Sequence, residues 1–133
     1  MGSLFDSDRR EYVRIRSELL MRYKFLGSSI SDPNLDKIYE GKATNISGGG
    51  IMIKGTIPDQ RWIPELLMQR MVIGINFSLP NEEEPVKTLT RVAWIETVDE
   101  NAHIYIIGLK FKEITTKDTD KIFRFIIRNQ LPS

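Results

Sequence analysis

Apolar and polar positions alternate along much of the chain. In the run Leu19-Leu20-Met21-Arg22-Tyr23-Lys24-Phe25, the side chains of Leu19, Met21, Tyr23 and Phe25 fall on one side, the period of a half-buried strand. The run closes at residues 27–34, a loop by its Gly, Ser, Asp, Pro and Asn content. Further strands are predicted over 38–46 and 51–54, separated by Ser47-Gly48-Gly49-Gly50, and over 71–77, ending at Leu79-Pro80-Asn81. The acidic turn Glu82-Glu83-Glu84-Pro85 leads into 86–98, where Val86, Thr88, Thr90, Val92 and Trp94 alternate with Lys87, Leu89, Arg91, Ala93 and Ile95. Asp99-Glu100-Asn101 then turns that strand into a hairpin with 104–111, whose Tyr105, Ile107, Leu109 and Phe111 make an inward face.

The period changes after that. Thr115-Thr116-Lys117-Asp118 has the form of a capping box with Thr115 at N-cap and Asp118 at N3, and Ile122, Phe123, Phe125, Ile126 and Ile127 follow at helical spacing as one broad apolar face. Such a helix is expected to lie on the core. Residues 56–69 are compatible with a short helical turn, and Trp62 within them is expected to be packed. The resulting fold class is all-β: a small antiparallel barrel of six to seven strands with a C-terminal α-helix.

Composition narrows what such a barrel can do. At 133 residues the chain fits one domain, and 41% apolar with 28% charged residues is a globular balance. Residues 1–8 are set aside as a flexible N-terminus, with Gly2-Ser3 compatible with a tag, and 9–130 as the single domain. Absence of cysteine excludes disulfides, thiolate chemistry and zinc ribbons, and a single His leaves no two-His metal site. No run approaches the roughly 18 apolar residues of a membrane span, and no secretory signal is present, so membrane insertion is not expected and a cytoplasmic location is. His103 has no nucleophile partner and Glu82-Glu83-Glu84 reads as a solvated turn, so an enzyme is not expected.

Charge is more informative by position than in total. The net charge is +1, but residues 9–24 carry +4 and the remainder −3. A cationic arm on a mildly acidic barrel suits one small anion better than a nucleic-acid polymer, whose binding rests on many excess cations. Four arginines, Arg9, Arg10, Arg14 and Arg16, lie within eight residues just before the first predicted strand. Guanidinium grips phosphate bidentately, pairs with the guanine edge and stacks on a base. In an extended chain Arg10, Arg14 and Arg16 share one side. The second constellation is Thr44-Asn45-Ile46-Ser47-Gly48-Gly49-Gly50-Ile51, where Asn and Ser supply short directional hydrogen-bonding groups and glycine permits close approach or φ > 0. No Gly-Lys-Ser/Thr follows, so it is not a P-loop.

Taken together, Arg10-x-x-x-Arg14 and Asn45-x-Ser47-x-x-Gly50 resemble the RxxxR and [D/N]xSxxG signatures of the PilZ domain family, and Arg91-Val92-Ala93-Trp94 and Ile107-Gly108-Leu109-Lys110-Phe111 resemble its later strands. The resemblance covers roughly residues 8 to 128. It implies a receptor for cyclic di-GMP on a six-stranded barrel, with no cofactor or metal. Arg10 and Arg14 would contact the phosphates and guanines, joined by Arg9; Asn45 and Ser47 would bind guanine and nearby phosphate; Gly50 would keep the turn open. The arm is expected to order on the nucleotide and to signal to an unidentified effector protein in trans. The alternatives are a PilZ-like interaction module that binds no nucleotide, and a small-barrel binder of single-stranded nucleic acid. The last needs surface aromatics for stacking, whereas Tyr23, Phe25, Phe77, Tyr105 and Phe111 read as core.

Overall fold

The computed structural model describes residues 14–27 and 31–130. The alternating runs form six strands: β1 (Arg14–Leu26), β2 (Tyr39–Ser47), β3 (Gly50–Thr56), β4 (Val72–Phe77), β5 (Val86–Asp99) and β6 (Ile104–Glu113). They close in the order β1-β2-β3-β6-β5-β4, and every neighbouring pair is antiparallel. Closure removes the open sheet edge that a chain of this size would otherwise have to protect. Strand count settles at the lower of the expected values. The segment 56–69 contains a short helix, α1 (Trp62–Leu67), and the chain ends in α2 (Thr116–Gln130). A 3-10 turn (Pro33–Asp36), capped by the Asp32 carboxylate on the Asn34 amide, lies between β1 and β2.

The inward positions make one core. Met21, Tyr23, Phe25, Ile53, Ile73, Ile75, Phe77, Tyr105 and Ile107 are all buried. Trp62 closes one end, fully buried and edge-on to Phe25 with ring centroids 5.0 Å apart. Tyr23 stacks on Tyr39 at 5.6 Å. Its hydroxyl donates to the Thr56 carbonyl at 2.7 Å and accepts from the Thr56 amide at 2.6 Å, pinning the end of β3 to β1. Burial pushes this phenol up to about 12. A Cβ on Gly55 would lie 2.6 Å from that oxygen, so the bond requires glycine beside it.

Two expectations change in detail. The first concerns β5. The alternation puts Val86, Thr88, Thr90, Val92 and Trp94 on one face, and the first four are buried, but Trp94 is not: it is 42% exposed. Val92 pairs with Leu109 and Trp94 with Gly108, so two steps on β5 match one on β6 and Ala93 is the extra residue of a β-bulge. One supernumerary residue reverses the inside-outside phase of the strand beyond it. Arg91 and Trp94, three positions apart, therefore share the outer surface. Gln69 Nε2 caps the Val92 carbonyl at the bulge, at 3.0 Å.

The second change concerns α2. Thr115 is the N-cap as expected, its Oγ1 accepting from the Asp118 amide at 3.1 Å. The Asp118 carboxylate does not complete the box. It accepts instead from the Lys87 amide at 3.2 Å and pairs with Lys121 at 3.1 Å. Lys121, only 4% exposed, also donates to the Glu84 carbonyl. Arg124 pairs with Glu82 and Lys117 with Glu84, which hold both carboxyls below the usual glutamate range. The acidic turn is thus the mooring of the helix rather than a free solvated loop. Of the predicted apolar face, Ile122, Phe125 and Ile126 are buried, while Phe123 and Ile127 remain largely outside. No helix among the described residues is long and apolar enough to cross a membrane.

Candidate functional site

The β2–β3 turn is built by one hydroxyl. Ser47 Oγ accepts from the amides of Gly49 (3.3 Å) and Gly50 (3.2 Å) and donates to the Gly50 carbonyl (3.3 Å). The Phe111 amide donates to the Gly49 carbonyl at 3.1 Å, tying the turn to β6. None of Gly48, Gly49 and Gly50 uses a left-handed backbone. Gly50 is required for a different reason: a Cβ there would sit 2.2 Å from the Leu109 carbonyl oxygen, so β3 and β6 could not approach. Ser47 and Gly50 first of all shape the site.

Pairing registers lay out the surface beside that turn as two rows across the barrel. One runs Asn45 (β2), Met52 (β3), Gly108 (β6), Trp94 (β5). The next runs Gly50 (β3), Lys110 (β6), Arg91 (β5). Both rows face an open groove of about 790 Å³, whose lining also includes Ile114, Thr119 and Phe123. That volume is within the range of small-molecule sites, roughly 300–1,000 Å³. Asn45 reaches the groove because the β2–β3 register shifts between Ala43 and Asn45, with the Thr44 hydroxyl bonded to the Met52 carbonyl. Among the described residues the Asn45 carboxamide has no hydrogen-bond partner.

The electrostatics are one-sided. Arg91 and Lys110 are register partners, exposed on the same face, and neither forms an ion pair among the described residues. Like charges directly opposite across strands are destabilising. An anion between them would reverse the sign. Groups of three or more acidic or histidine side chains suited to a metal are absent among the described residues.

Of the residues singled out by sequence, Asn45, Ser47 and Gly50 come together on this groove. The backbone of Arg14 is brought opposite Ser47, and that of Arg16 opposite Asn45, by the β1–β2 pairing. Arg9 and Arg10, and the expected arm as a whole, lie outside the described residues. Sequence reasoning did not place Arg91 and Lys110 in the site. His103, in the β5–β6 turn with φ of 58°, lies away from the groove lining.

Comparison with known structures supports the same architecture. The Bacillus subtilis inhibitor of motility MotI/DgrA superposes with a TM-score of 0.64 at 22% identity, over 92% of this chain and 51% of that one. The MrkH–c-di-GMP complex of K. pneumonia gives 0.60 at 17%, over 92% and 52%. The PilZ domain of Escherichia coli YcgR with c-di-GMP gives 0.59 at 13%, over 92% and 95%. The chain thus spans about half the length of MotI and MrkH. No curated protein sequence matches it. The PilZ domain family matches residues 8–128, nearly the whole sequence. With the barrel, the terminal helix and the Asn45-x-Ser47-x-x-Gly50 turn in place, the chain belongs to the PilZ domain family.

Proposed function

We propose that this groove is a receptor site for cyclic di-GMP, and that occupancy is signalled to a separate effector protein. The observation that carries the reading is the unneutralised Arg91–Lys110 pair beside the Ser47–Gly50 turn. Two cations held opposite each other are poised for a phosphate, since charge-assisted hydrogen bonds are about twice as strong as neutral ones. Asn45, one row away and with its carboxamide unengaged among the described residues, offers an acceptor to the N1–H and N2–H₂ donors of guanine. Arg14 starts β1 opposite Ser47, and Arg10 and Arg9 precede it in the sequence. In this reading those arginines close on the phosphates and guanines, and the ordered arm presents a new surface to the effector.

Two of the structural neighbours, MrkH and the YcgR domain, are described with c-di-GMP, and MotI is described as an inhibitor of motility. The test is calorimetry with cyclic di-GMP. Saturable heat at micromolar concentrations, lost in Arg10→Ala and Arg14→Ala, is the expected result. Absence of heat in the wild type, or unchanged affinity in both variants, favours the module that binds no nucleotide.

A further inference from the structure

A second depression lies on the part of the barrel wall made by β1, β4 and β5. The outward positions of β4 are short, Gly74 and Asn76, while their register partners are long: Lys24 and Arg22 on β1, Leu89 and Lys87 on β5. Small residues between two rows of large ones make a trough along β4, two strand spacings or about 10 Å across. Its volume is about 780 Å³, and it extends to the β6–α2 junction at Ile114 and Thr115. Leu26 leans over Gly74, where a Cβ would lie 3.2 Å from its Cδ1.

The lining is cationic at one end and aliphatic at the other. Arg22, Lys24 and Lys87 form no ion pair among the described residues. Glu113 is the one carboxylate among the described lining residues, and Glu40, opposite Arg22 on β2, makes no ion pair with it. Beyond the charged positions, Leu26 is 37% exposed and Ile38 66%. Exposed aliphatic side chains rimmed by charge mark contact surfaces.

We infer that this trough docks an extended segment of a partner protein, with a carboxylate at one position and aliphatic side chains two and four positions along; that the partner is the effector rests on the receptor reading above. The register sets this pattern. Arg22 and Lys87 face each other across Asn76, Lys24 and Leu89 across Gly74, and Leu26 follows, so successive rows lie two strand residues apart. A carboxylate between Arg22 and Lys87 leaves the next two inward side chains of an extended chain against Leu89, Leu26 and Ile38. A recessed trough suits a chain better than a flat bilayer, and three cations fall short of what a nucleic-acid polymer requires. Tyr23, the one aromatic among the described lining residues, is buried in the core and gives bases no stacking surface. Ile114 lines this trough and the first groove alike, and α2, capped by Thr115 at the trough, carries Thr119 and Phe123 to the other. The two sites meet at the root of one helix, and linkage requires that each occupant change the other's affinity by the same factor.

The probe is the end-blocked peptide Asp-Ser-Leu-Ser-Leu, in both chain directions, titrated into the full chain and followed by backbone amide NMR shifts. The same peptide with lysine for aspartate, and phosphatidylserine vesicles, are parallel arms. Saturable shifts at Lys24, Gly74, Asn76 and Leu89, weakened by salt and absent with the lysine peptide, are expected. Arg22→Glu combined with Lys87→Glu, both at exposed positions, should weaken the acidic peptide roughly tenfold or more. Gly74→Leu fills the trough without touching a charge and should do likewise; if it fails to fold, the charge variant decides. No shifts, shifts confined to other surfaces, equal binding of both peptides, unchanged affinity in the charge variant, or binding to vesicles alone overturns the docking site. Saturating cyclic di-GMP should change the peptide affinity several-fold. Unchanged peptide affinity although the nucleotide binds removes the effector from this trough and leaves the receptor reading standing. Peptide binding with no heat from the nucleotide leaves the docking site standing and overturns the receptor.

Discussion

Neutralising Lys110 should strengthen the free protein while weakening it as a receptor. Lys110 faces Arg91 across the β5–β6 ladder with no carboxylate among the described residues to offset either charge. Two unit charges about 7 Å apart in water repel by about 0.6 kcal/mol before screening, in line with the 0.2–1 kcal/mol of cross-strand pairs. Lys110→Gln removes that repulsion and keeps much of the aliphatic stem. For a domain of this size the gain corresponds to a rise of roughly 1–3 °C in Tm at low salt. Near 1 M salt the Debye length is about 3 Å, and the difference should vanish. In the proposed receptor the same change would remove a hydrogen bond to a charged group, about 1.5–3 kcal/mol, so affinity for cyclic di-GMP should fall roughly 10- to 150-fold. Thermal melts at two salt concentrations and a calorimetric titration measure both effects. A variant that melts below the wild type at low salt, or that binds the nucleotide unchanged, would refute the reasoning.

Ser47→Ala strips three hydrogen bonds from the β2–β3 turn and orphans two glycine amides, so it should cost about 1–2 kcal/mol in urea unfolding without any ligand; an unmoved midpoint contradicts a shaping role. Asn45→Asp replaces a neutral acceptor by a charged one and should tighten nucleotide binding several-fold by calorimetry, with equal or weaker binding as the contrary result. Tyr23→Phe leaves the Thr56 amide and carbonyl without their buried partner and should destabilise by about 2–3 kcal/mol. The same phenol sets an alkaline limit. Its pKa rises on folding from about 10 to about 12, so its contribution is full below pH 10 and is lost as pH climbs through 12, a decline that Tyr23→Phe should flatten.

The scaffold was legible because period two survives in most strands long enough to show. Alternation in β1, β4 and β6 names the buried side chains, and the change of period at Thr115 marks the helix and its cap. The Asn45, Ser47 and Gly50 positions were legible as a motif, but not the work they do in the turn: that Ser47 staples glycine amides and that Gly50 admits the Leu109 carbonyl depend on β6, distant in sequence. Arg91 and Lys110 escaped for a countable reason. Starting from the Asp99–Ile104 pair with no irregularity, Lys110 would face Ala93; two register shifts bring it to Arg91 instead. Bulges leave no reliable mark in composition, so a cross-strand partner beyond one is out of reach of the sequence. Similarly, Phe123 and Ile127 have helical spacing like their buried neighbours, but the moored helix seats only Ile122, Phe125 and Ile126 in the core.

The extra residue at Ala93 also bears on how distant relatives should be compared. In a regular strand, residues on one face are an even number apart, yet Arg91 and Trp94 share a face at a spacing of three. β5 behaves as two half-strands of opposite parity spliced at Ala93. Between chains only 13–22% identical, aligning residue identities across that splice without regard to parity would set an outward position of one protein against an inward position of another. Parity on each side of the splice, rather than likeness of residues, is then what establishes that two such strands present the same face.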